Sequence, residues 1–342
     1  MDDTDEGSRG GARGDFTVLM PIYEDWESAS VLVGQVQRAL ADLTDRVDFL
    51  LVNDGSVTPP PPSVAVGASP PARLRVLHLR RNLGHQRAIA IGLSHLQSVG
   101  CGEGVVVMDG DGEDTPEGVA TLIRRFRALG GSRTVFAERA RRTEGAVFKV
   151  FYAMFRALHR ALTGRGVRVG NFSAVPAAHL DRLVAVSEVW NHYAASVYRA
   201  RLPVDTVPID RGWRIAGQSR MNFTSLLAHG LSAISVFSDV VGMRLLVFAG
   251  VLGLLAMGGI LVAAGLRFFT TLAIPGWATT VAGTLLVVIL QAFLMSVVFV
   301  FLILQGRNQH GFLPIRDHAY FVDRVETLAG VTAAAPAAPR AP

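Results

Sequence analysis

Two aspartates separated by a single glycine follow an apolar run in the segment VVVMDGDGEDTPEG, residues 105–118. Asp109 and Asp111 can present two carboxylates to one hard cation, because Gly110 allows a close approach of the backbone. A divalent ion held by so few carboxylates keeps open positions for the oxygens of substrate phosphates. Glu113 is a plausible further ligand. The spacing therefore predicts a site for a divalent metal and a phosphate-bearing substrate.

Two other interpretations of this acidic segment fit less well. A calcium-binding EF-hand needs Gly at loop position six and Glu at position twelve, but counting from Asp109 places Asp114 and Ala120 there. A solvated turn explains the acidity but not two aspartates spaced by one glycine at a strand end. Asp114 and Glu117 flank a proline at a predicted helix start, where negative charge favours the helix dipole.

Arginines in other segments could neutralise a bound diphosphate, because a guanidinium group can donate two parallel hydrogen bonds to phosphate oxygens. Arg139 ends a predicted strand, and DRGWRIAGQSR contributes Arg211, Arg214 and Arg220. Any single arginine is also an ordinary surface charge. We expect Arg214 and Arg220 to be functional, since they lie close to a Gly-Gln-Ser turn just before the long apolar runs.

Strand and helix patterns alternate through the first part of the chain. Apolar runs predict strands at 16–22, 47–56, 74–79, 104–109 and 134–139, and helical spacing predicts helices at 27–43, 84–99 and 116–129. This alternation predicts a doubly wound, mostly parallel α/β sheet. Polar clusters follow four strands, at 23–25, 53–56, 82–86 and 109–114. Because ligands bind beyond the carboxyl ends of such strands, we expect these clusters to form one site.

Two long runs without charged residues lie in the second part of the chain, 22 residues at 245–266 and 39 residues at 268–306. About 20 apolar residues cross a bilayer core, so we predict transmembrane helices at about 243–267 and 279–304. Arg214, Arg220 and Arg244 precede these helices, Arg307, Arg316 and Arg324 follow them, and Arg267 lies between them. This bias predicts a plasma-membrane protein with its large domain and its C-terminus in the cytoplasm.

The composition argues against two other classes of protein. The net charge of +5 could suggest a nucleic-acid partner, but no basic stretch is interleaved with stacking aromatics. Attraction to the anionic headgroups of a lipid bilayer explains the charge more simply. The single cysteine, Cys101, excludes an intrachain disulfide framework and suits a reducing compartment.

We divide the chain by these patterns into five regions. They are a disordered N-terminus at 1–14, a catalytic domain at 15–218, an interfacial amphipathic helix at 219–240, the two transmembrane helices within 241–306 and a cytoplasmic tail with a disordered end at 307–342. The acidic, glycine-rich N-terminus has no apolar segment and is expected to be neither a signal peptide nor an anchor.

Six motifs occur in an order typical of a known family: VLMPIYEDWES, LLVNDGS, RNLGHQRAIAIGL, VVVMDGDGEDTPE, FAERARR and RIAGQSRMNF. The chain resembles the family 2 glycosyltransferases, most closely the branch of dolichol-phosphate mannose synthase and the bacterial polyprenyl-phosphate glycosyltransferases. The resemblance covers about residues 16–240. It implies a GT-A type fold, Mg²⁺ or Mn²⁺ as cofactor, and inverting transfer of a sugar from a nucleotide-sugar donor to a polyprenyl phosphate. Family members often assemble through their membrane helices, which leaves a homo-oligomer open.

The resemblance also implies roles for particular residues. Asp54 would contact the base of the donor nucleotide, in a pocket also lined by Pro21, Tyr23 and Asp25. Asp109 and Asp111 match the pair that holds metal and diphosphate, and Glu113 stands where the family usually has glutamine. Gln86 matches a position near the donor. Basic positions for the donor diphosphate or the acceptor phosphate are matched by Arg139, Arg214 and Arg220, and we add Arg211 as a candidate for the acceptor phosphate.

Asn171, in GNFSAVP, is the main departure, because many family members have an aspartate there that is considered catalytic. Asparagine cannot act as a base. A phosphate monoester, however, has a second pKa of about 6 and is largely ionised at neutral pH, so it needs positioning and charge neutralisation more than deprotonation. We therefore keep Asn171 among the catalytic candidates, with Asp109, Asp111, Arg214 and Arg220.

Two alternative functions stay open. One is a transferase that makes another glycolipid or a polysaccharide, although processive synthases usually have more spans and a Gln-x-x-Arg-Trp motif. The other is a membrane-anchored protein that binds nucleotide sugars without turnover, which the asparagine at 171 would explain.

Overall fold

The computed structural model describes residues 15–44, 46–66, 73–139, 154, 157–164, 169–216, 230–270, 276–308 and 312–329. The chain forms two compact units. The first unit comprises residues 1–143, 167–232 and 312–342, and the second comprises residues 144–166 and 233–311. The predicted disordered N-terminus, Arg220 and most of the predicted interfacial helix lie outside the described residues.

An eight-stranded sheet forms the centre of the first unit, in the strand order β7-β5-β6-β4-β1-β2-β3-β8. The strands are β1 (Phe16–Ile22), β2 (Val47–Asn53), β3 (Leu74–Leu79), β4 (Gly104–Val107), β5 (Thr134–Arg139), β6 (Ser173–Pro176), β7 (Val204–Ile209) and β8 (Val322–Ala329). The pairs β1–β2, β1–β4, β2–β3 and β5–β7 are parallel, whereas β6 and β8 pair antiparallel with their neighbours. The prediction of a mostly parallel sheet is confirmed.

Helices cover both faces of this sheet. The helices α1 (Trp26–Leu40) and α4 (Pro116–Ala128) pack on one face, where Phe16 and Phe126 meet edge to face. The other face is covered by α3 (His85–Val99), α5 (Ala177–Val184) and α6 (Tyr193–Arg199). A short helix, α2 (Ser63–Val66), follows the proline run. Every residue of β1 and β2 is buried and most of them are apolar, as expected for strands covered on both faces.

The helix α4 starts where the acidic loop ends, and its first residues explain why. The Thr115 side chain accepts a hydrogen bond from the backbone N–H of Gly118 at 3.1 Å, which is an N-cap, and Pro116 occupies the first helical position. Strand β4 ends at Val107, two residues before the predicted end, so Asp109 lies in the loop between β4 and α4.

The C-terminal segment changes the predicted division of the chain. Residues within 312–329, expected to be part of a tail, form α9 (Pro314–Asp317), a 3-10 turn (His318–Phe321) and β8, which pairs with β3 in the first unit. Phe312 and Phe321 pack on Trp190 with ring centroids 3.9 and 5.1 Å away. The catalytic domain therefore does not end at residue 218. The strand was missed because VDRVETLA is a mainly polar edge strand that follows the apolar helices.

Two long helices dominate the second unit, α7 (Ser238–Phe269) and α8 (Trp277–Asn308). Both are long and apolar enough to cross a membrane. The most apolar segment of each helix is almost entirely exposed, whereas the core helix of a soluble protein would be mostly buried. They contain the predicted spans 243–267 and 279–304, and α7 also includes residues 238–240 of the predicted interfacial helix. The buried residues of α7 are Gly242, Ala249, Ala256 and Ala263. This seven-residue spacing of small side chains permits close packing against α8.

Candidate active site

The loops that follow β1 to β4 contact one another at the carboxyl edge of the sheet. The Glu24 N–H donates to Ser56 Oγ at 3.0 Å, which joins the first loop to the second. Asp54 accepts hydrogen bonds from the loop after β3. At the start of α3, His85 Nε2 lies 3.1 Å from Asp109 Oδ1 in the loop after β4. The predicted meeting of the four polar clusters is confirmed by these contacts.

The turn at 53–56 has a tightly specified backbone. Asn53 Oδ1 accepts a hydrogen bond from the Ser56 N–H at 2.9 Å. Gly55 has a φ of +72°, and a Cβ there would lie 2.5 Å from the backbone nitrogen of Asn82, so only glycine fits. The Glu24 carboxylate accepts hydrogen bonds from the N–H groups of Val57 and Thr58. This contact gives Glu24 a structural role in joining the first loop to the second.

Asp54 is buried, and its two oxygens accept hydrogen bonds from the Leu83 N–H at 2.7 Å and the Gly84 N–H at 2.9 Å. Burial raises the pKa of the Asp54 carboxyl, and the two backbone hydrogen bonds oppose that rise. Asp54 thus holds the start of α3 against the turn after β2. Tyr23 is 40% exposed beside this turn, whereas Pro21 is buried at the end of β1.

The acidic loop is shaped by its own carboxylates. Asp114 Oδ2 accepts a hydrogen bond from the Asp109 N–H at 2.8 Å, and Asp111 Oδ1 accepts one from the Glu113 N–H at 2.9 Å. Gly112 has a φ of +92°, and a Cβ there would lie 2.6 Å from Cγ1 of Ile215. Asp114 therefore fixes the loop that presents Asp109, a role that the sequence analysis did not assign to it.

Two arginines lie against the acidic loop. Arg214 Nη2 donates to Asp111 Oδ2 at 2.6 Å, and Arg211 forms an ion pair with Glu113. The backbone reinforces this docking, because the Gly212 N–H donates to the Glu113 carbonyl and the Ile215 N–H donates to the Asp111 carbonyl, each at 2.9 Å. We call residues 210–216 the arginine segment.

The charges around Asp111 pull its pKa in opposite directions. Burial raises the pKa of Asp111 and so does the negative charge of Asp109, while Arg214 and Arg211 lower it. The net shift is upward. An additional positive charge would therefore stabilise the ionised pair of aspartates, which is the property expected of a cation site.

A chain of amide contacts surrounds Asn171. The Tyr193 N–H donates to Gln86 Oε1 at 2.7 Å, so Gln86 Nε2 points to Asn171 Oδ1, at 3.2 Å. Asn171 Nδ2 then lies 3.0 Å from His85 Nε2, the atom that also faces Asp109. This contact chain fixes the Asn171 amide and links it to the acidic loop.

His85 had no assigned role in the sequence analysis, although it precedes Gln86 in the motif GHQRA. Burial lowers the pKa of His85, but the negative charge of Asp109 and the hydrogen bond to it outweigh burial, so the pKa lies above its usual value. His85 Nε2 faces a donor, Asn171 Nδ2, and an acceptor, Asp109 Oδ1, so a protonated His85 donates to Asp109 and gives up the hydrogen bond from Asn171. In that state it adds a positive charge beside the acidic loop. Sequence position could not reveal this contact, because Asp109 is brought to His85 by the sheet.

The structure therefore unites most of the predicted site. Loop and helix contacts connect Glu24, Asp54, Gln86, Asp109, Asp111, Glu113, Asn171, Arg211 and Arg214. Asp25 directly precedes α1. Arg139 is the last residue of β5, and the structure describes its backbone but not its side chain. No group of three His, Cys, Asp or Glu side chains in the described residues forms a ready-made metal cage.

Comparisons with known proteins agree with this architecture. Residues 17–169 match the sequence family Glycosyl transferase family 2. The chain is 25% identical to the uncharacterized glycosyltransferase YkcC of Bacillus subtilis (strain 168), over 79% of this chain and 83% of YkcC. It is also 25% identical to the undecaprenyl-phosphate 4-deoxy-4-formamido-L-arabinose transferase of Erwinia tasmaniensis, over 74% of this chain and 77% of that protein.

Among solved structures, glucosyl-3-phosphoglycerate synthase from Mycobacterium tuberculosis, in complex with Mn²⁺, UDP-glucose and phosphoglyceric acid, has a TM-score of 0.48 and 18% identity. The match covers 66% of this chain and 79% of that one. Residues 17–169, which match the glycosyl transferase family 2 model, contain the acidic loop and the central parallel strands, and this architecture is that of a GT-A type domain. The protein is a glycosyltransferase.

Proposed function

We propose that the protein is a membrane-bound inverting glycosyltransferase that moves a sugar from a nucleotide-sugar donor to a polyprenyl phosphate. The observation that carries this proposal is the contact between the acidic loop and the arginine segment. Carboxylates for a cation and guanidinium groups for phosphates meet at one place, on the edge of the sheet where such folds bind ligands. The relatives named for transfer to undecaprenyl phosphate support the choice of acceptor.

The donor nucleotide is placed at the loops after β1 and β2. Asp54, Tyr23 and Asp25 border this region with the buried Pro21. The donor diphosphate then lies toward Gln86, Asp109 and the end of β5, where Arg139 stands. Asp109 follows β4, which is next to β1 in the sheet, and Gln86 reaches this side through its hydrogen bond to Asn171, which precedes β6.

Asp109 and Asp111 suit a divalent ion such as Mg²⁺ or Mn²⁺. Mg²⁺ is commonly bound by one or two carboxylates together with water and substrate phosphates, so a full protein cage is not needed. When bound, the ion supplies positive charge that stabilises the departing nucleoside diphosphate. Glu113 is the candidate third ligand, and its ion pair with Arg211 would have to open for it to bind metal.

The chemical step is a displacement at C1 of the sugar. An oxygen of the lipid phosphate forms a bond to C1 as the bond from C1 to the donor diphosphate breaks, and the electron pair leaves with the nucleoside diphosphate. No proton has to be removed from an ionised phosphate. Arg211, Arg214 and Arg220 neutralise the acceptor charge, while Asn171 orients the reacting groups through an amide that Gln86 holds in place.

The membrane part of the proposal depends on the two apolar helices and the path of the chain. The chain leaves the first unit after residue 232 and re-enters it at residue 312. If α7 and α8 each cross the bilayer once, the parts of the first unit before α7 and after α8 lie on the same side of the bilayer. The arginine bias around the helices favours the cytoplasm for that side, next to the headgroup of the lipid acceptor.

A second candidate function is binding of nucleotide sugars without turnover, and the asparagine at position 171 favours it. The test that separates the two uses full-length protein in detergent with undecaprenyl or decaprenyl phosphate, Mg²⁺ or Mn²⁺, and a panel of sugar nucleotides. Mass spectrometry of the lipid is expected to show one added sugar with one donor. Donor binding without any glycosylated lipid across the panel would favour the second candidate.

A further inference from the structure

A buried hydrogen-bond chain runs from the nucleotide-side turn to the C-terminal strand. Its first member is the Ser56 N–H, which can only donate and bonds to Asn53 Oδ1 at 2.9 Å. This contact fixes the orientation of the Asn53 amide, so Nδ2 is the atom 3.1 Å from His78 Nδ1. The amide nitrogen is a donor, and His78 Nδ1 must therefore accept.

The same logic fixes the other ring nitrogen of His78. With Nδ1 accepting, a neutral imidazole carries its proton on Nε2, which lies 3.0 Å from Glu326 Oε2. Every donor in this chain faces an acceptor: Ser56 to Asn53, Asn53 to His78 and His78 to Glu326. We call these contacts the His78 relay.

Burial makes the last contact of the relay important. Asn53 and His78 are each 5% exposed, and buried polar groups are costly when they lose a partner. Glu326 lies on β8, where it pairs with Val76 of β3, and its side chain is 42% exposed. It is the residue that lets the buried His78 keep one tautomer, with Nδ1 free to accept from Asn53.

We propose that Glu326 is a positioning residue for the donor nucleotide, acting through His78 and Asn53 on the turn at 53–56. This inference rests on the proposed function, which places the nucleotide at that turn. The turn also contains Asp54 and carries the Ser56 hydroxyl that accepts from Glu24. The part of the chain that follows the two apolar helices would thereby complete the donor site, although it contributes no residue to the transfer itself.

The experiment compares Glu326→Ala and Glu326→Gln with a matched control in full-length protein. Asp323→Ala is the control, because Asp323 also lies on β8 and forms an ion pair with Arg80, at 3.7 Å, but is not in the relay. UDP, GDP and CDP with Mg²⁺ are first titrated into the unmodified protein by calorimetry, and the tightest ligand is used for the variants.

We expect Glu326→Ala to weaken nucleotide binding by roughly 5- to 20-fold, as follows from an unpaired buried donor. Glu326→Gln, which keeps an acceptor oxygen, and Asp323→Ala are expected to stay within about twofold of the unmodified protein. Nitrogen-15 spectra of histidine-labelled protein should show the Nε2–H tautomer of His78 and its loss in Glu326→Ala. Melting curves check that each variant is folded.

Unchanged nucleotide binding by folded Glu326→Ala would overturn the inference. Equal weakening by Asp323→Ala would also overturn it, because it would show a general effect of β8. If the unmodified protein bound none of the three nucleotides, the proposed function would fail and the inference would fail with it. This outcome is seen in the unmodified protein alone, so it is distinct from any effect of a variant.

Discussion

At the scale of single residues, neighbouring carboxylates of the acidic loop make different contacts. Asp109 and Asp111 face His85 and Arg214, whereas Asp114 accepts from the backbone of the loop itself. The Asp-x-Asp spacing predicted the first pair, because two carboxylates separated by one residue suit a cation. The role of Asp114 depends on the fold of the loop, which residue spacing does not specify.

Asp111→Asn is expected to lower the turnover number at least about 100-fold, because the loss of one carboxylate charge weakens both metal binding and stabilisation of the leaving group. Transfer of sugar to lipid phosphate, followed over a range of Mn²⁺ concentrations, measures this effect. Glu117→Gln is the matched control, since Glu117 is an exposed acid in the first turn of α4. Equal activity of Asp111→Asn and the control would exclude the metal assignment.

Asn171→Asp tests whether the transfer needs a base. We expect the turnover number to change by less than about tenfold, because an ionised lipid phosphate is already a nucleophile. The pH profile of turnover should also stay similar, since no proton is removed. A rise of more than 100-fold would contradict this mechanism and would identify the natural protein as a weakened enzyme.

At the scale of helices and strands, the longer central strands were predictable, whereas the short buried strand β6 (SAVP) and the edge strands were not. The strands β1, β3 and β5 have the predicted bounds, because their apolar residues distinguish them from the polar turns that flank them. The edge strands β7 and β8 were not predicted, since VDTVPI and VDRVETLA carry exposed polar residues along their length. Their places are set by pairing with β5 and β3, which are distant in sequence.

His95, on the helix α3, is expected to make the stability of the folded protein depend on pH. Burial, followed by the positive charges of Arg75 and His318, lowers the pKa of His95 to about 4. The unfolded chain therefore binds a proton near pH 6.5 that the folded protein does not take up until about pH 4, so stability falls as pH drops through this window.

Removing this histidine should remove its share of the pH dependence. Between pH 7 and pH 4.5 we expect the melting midpoint of the unmodified protein to fall on the order of 5 °C further than that of His95→Gln. Thermal melts of both proteins in the same detergent measure the difference. Parallel pH profiles would show that His95 titrates normally in the folded protein.

At the scale of the whole molecule, the chain path predicts that the start of α7 and the end of α8 lie on one side of the membrane and the end of α7 on the other. Single cysteines are introduced into Cys101→Ser protein as Ser132→Cys in the catalytic unit, Tyr320→Cys after α8, and Phe269→Cys at the end of α7. In inside-out vesicles a membrane-impermeant maleimide should label the first two and not the third. Labelling of all three would contradict a two-span arrangement, and labelling of Phe269→Cys alone would contradict the cytoplasmic orientation.

The most direct test of the central claim is the mass of the lipid product formed from polyprenyl phosphate whose phosphate carries ¹⁸O. The proposed displacement predicts a sugar joined to a single phosphate, with all of the ¹⁸O retained in the lipid and none in the released nucleoside diphosphate. A lipid diphosphate sugar, ¹⁸O in the nucleotide, or release of free sugar alone would contradict it.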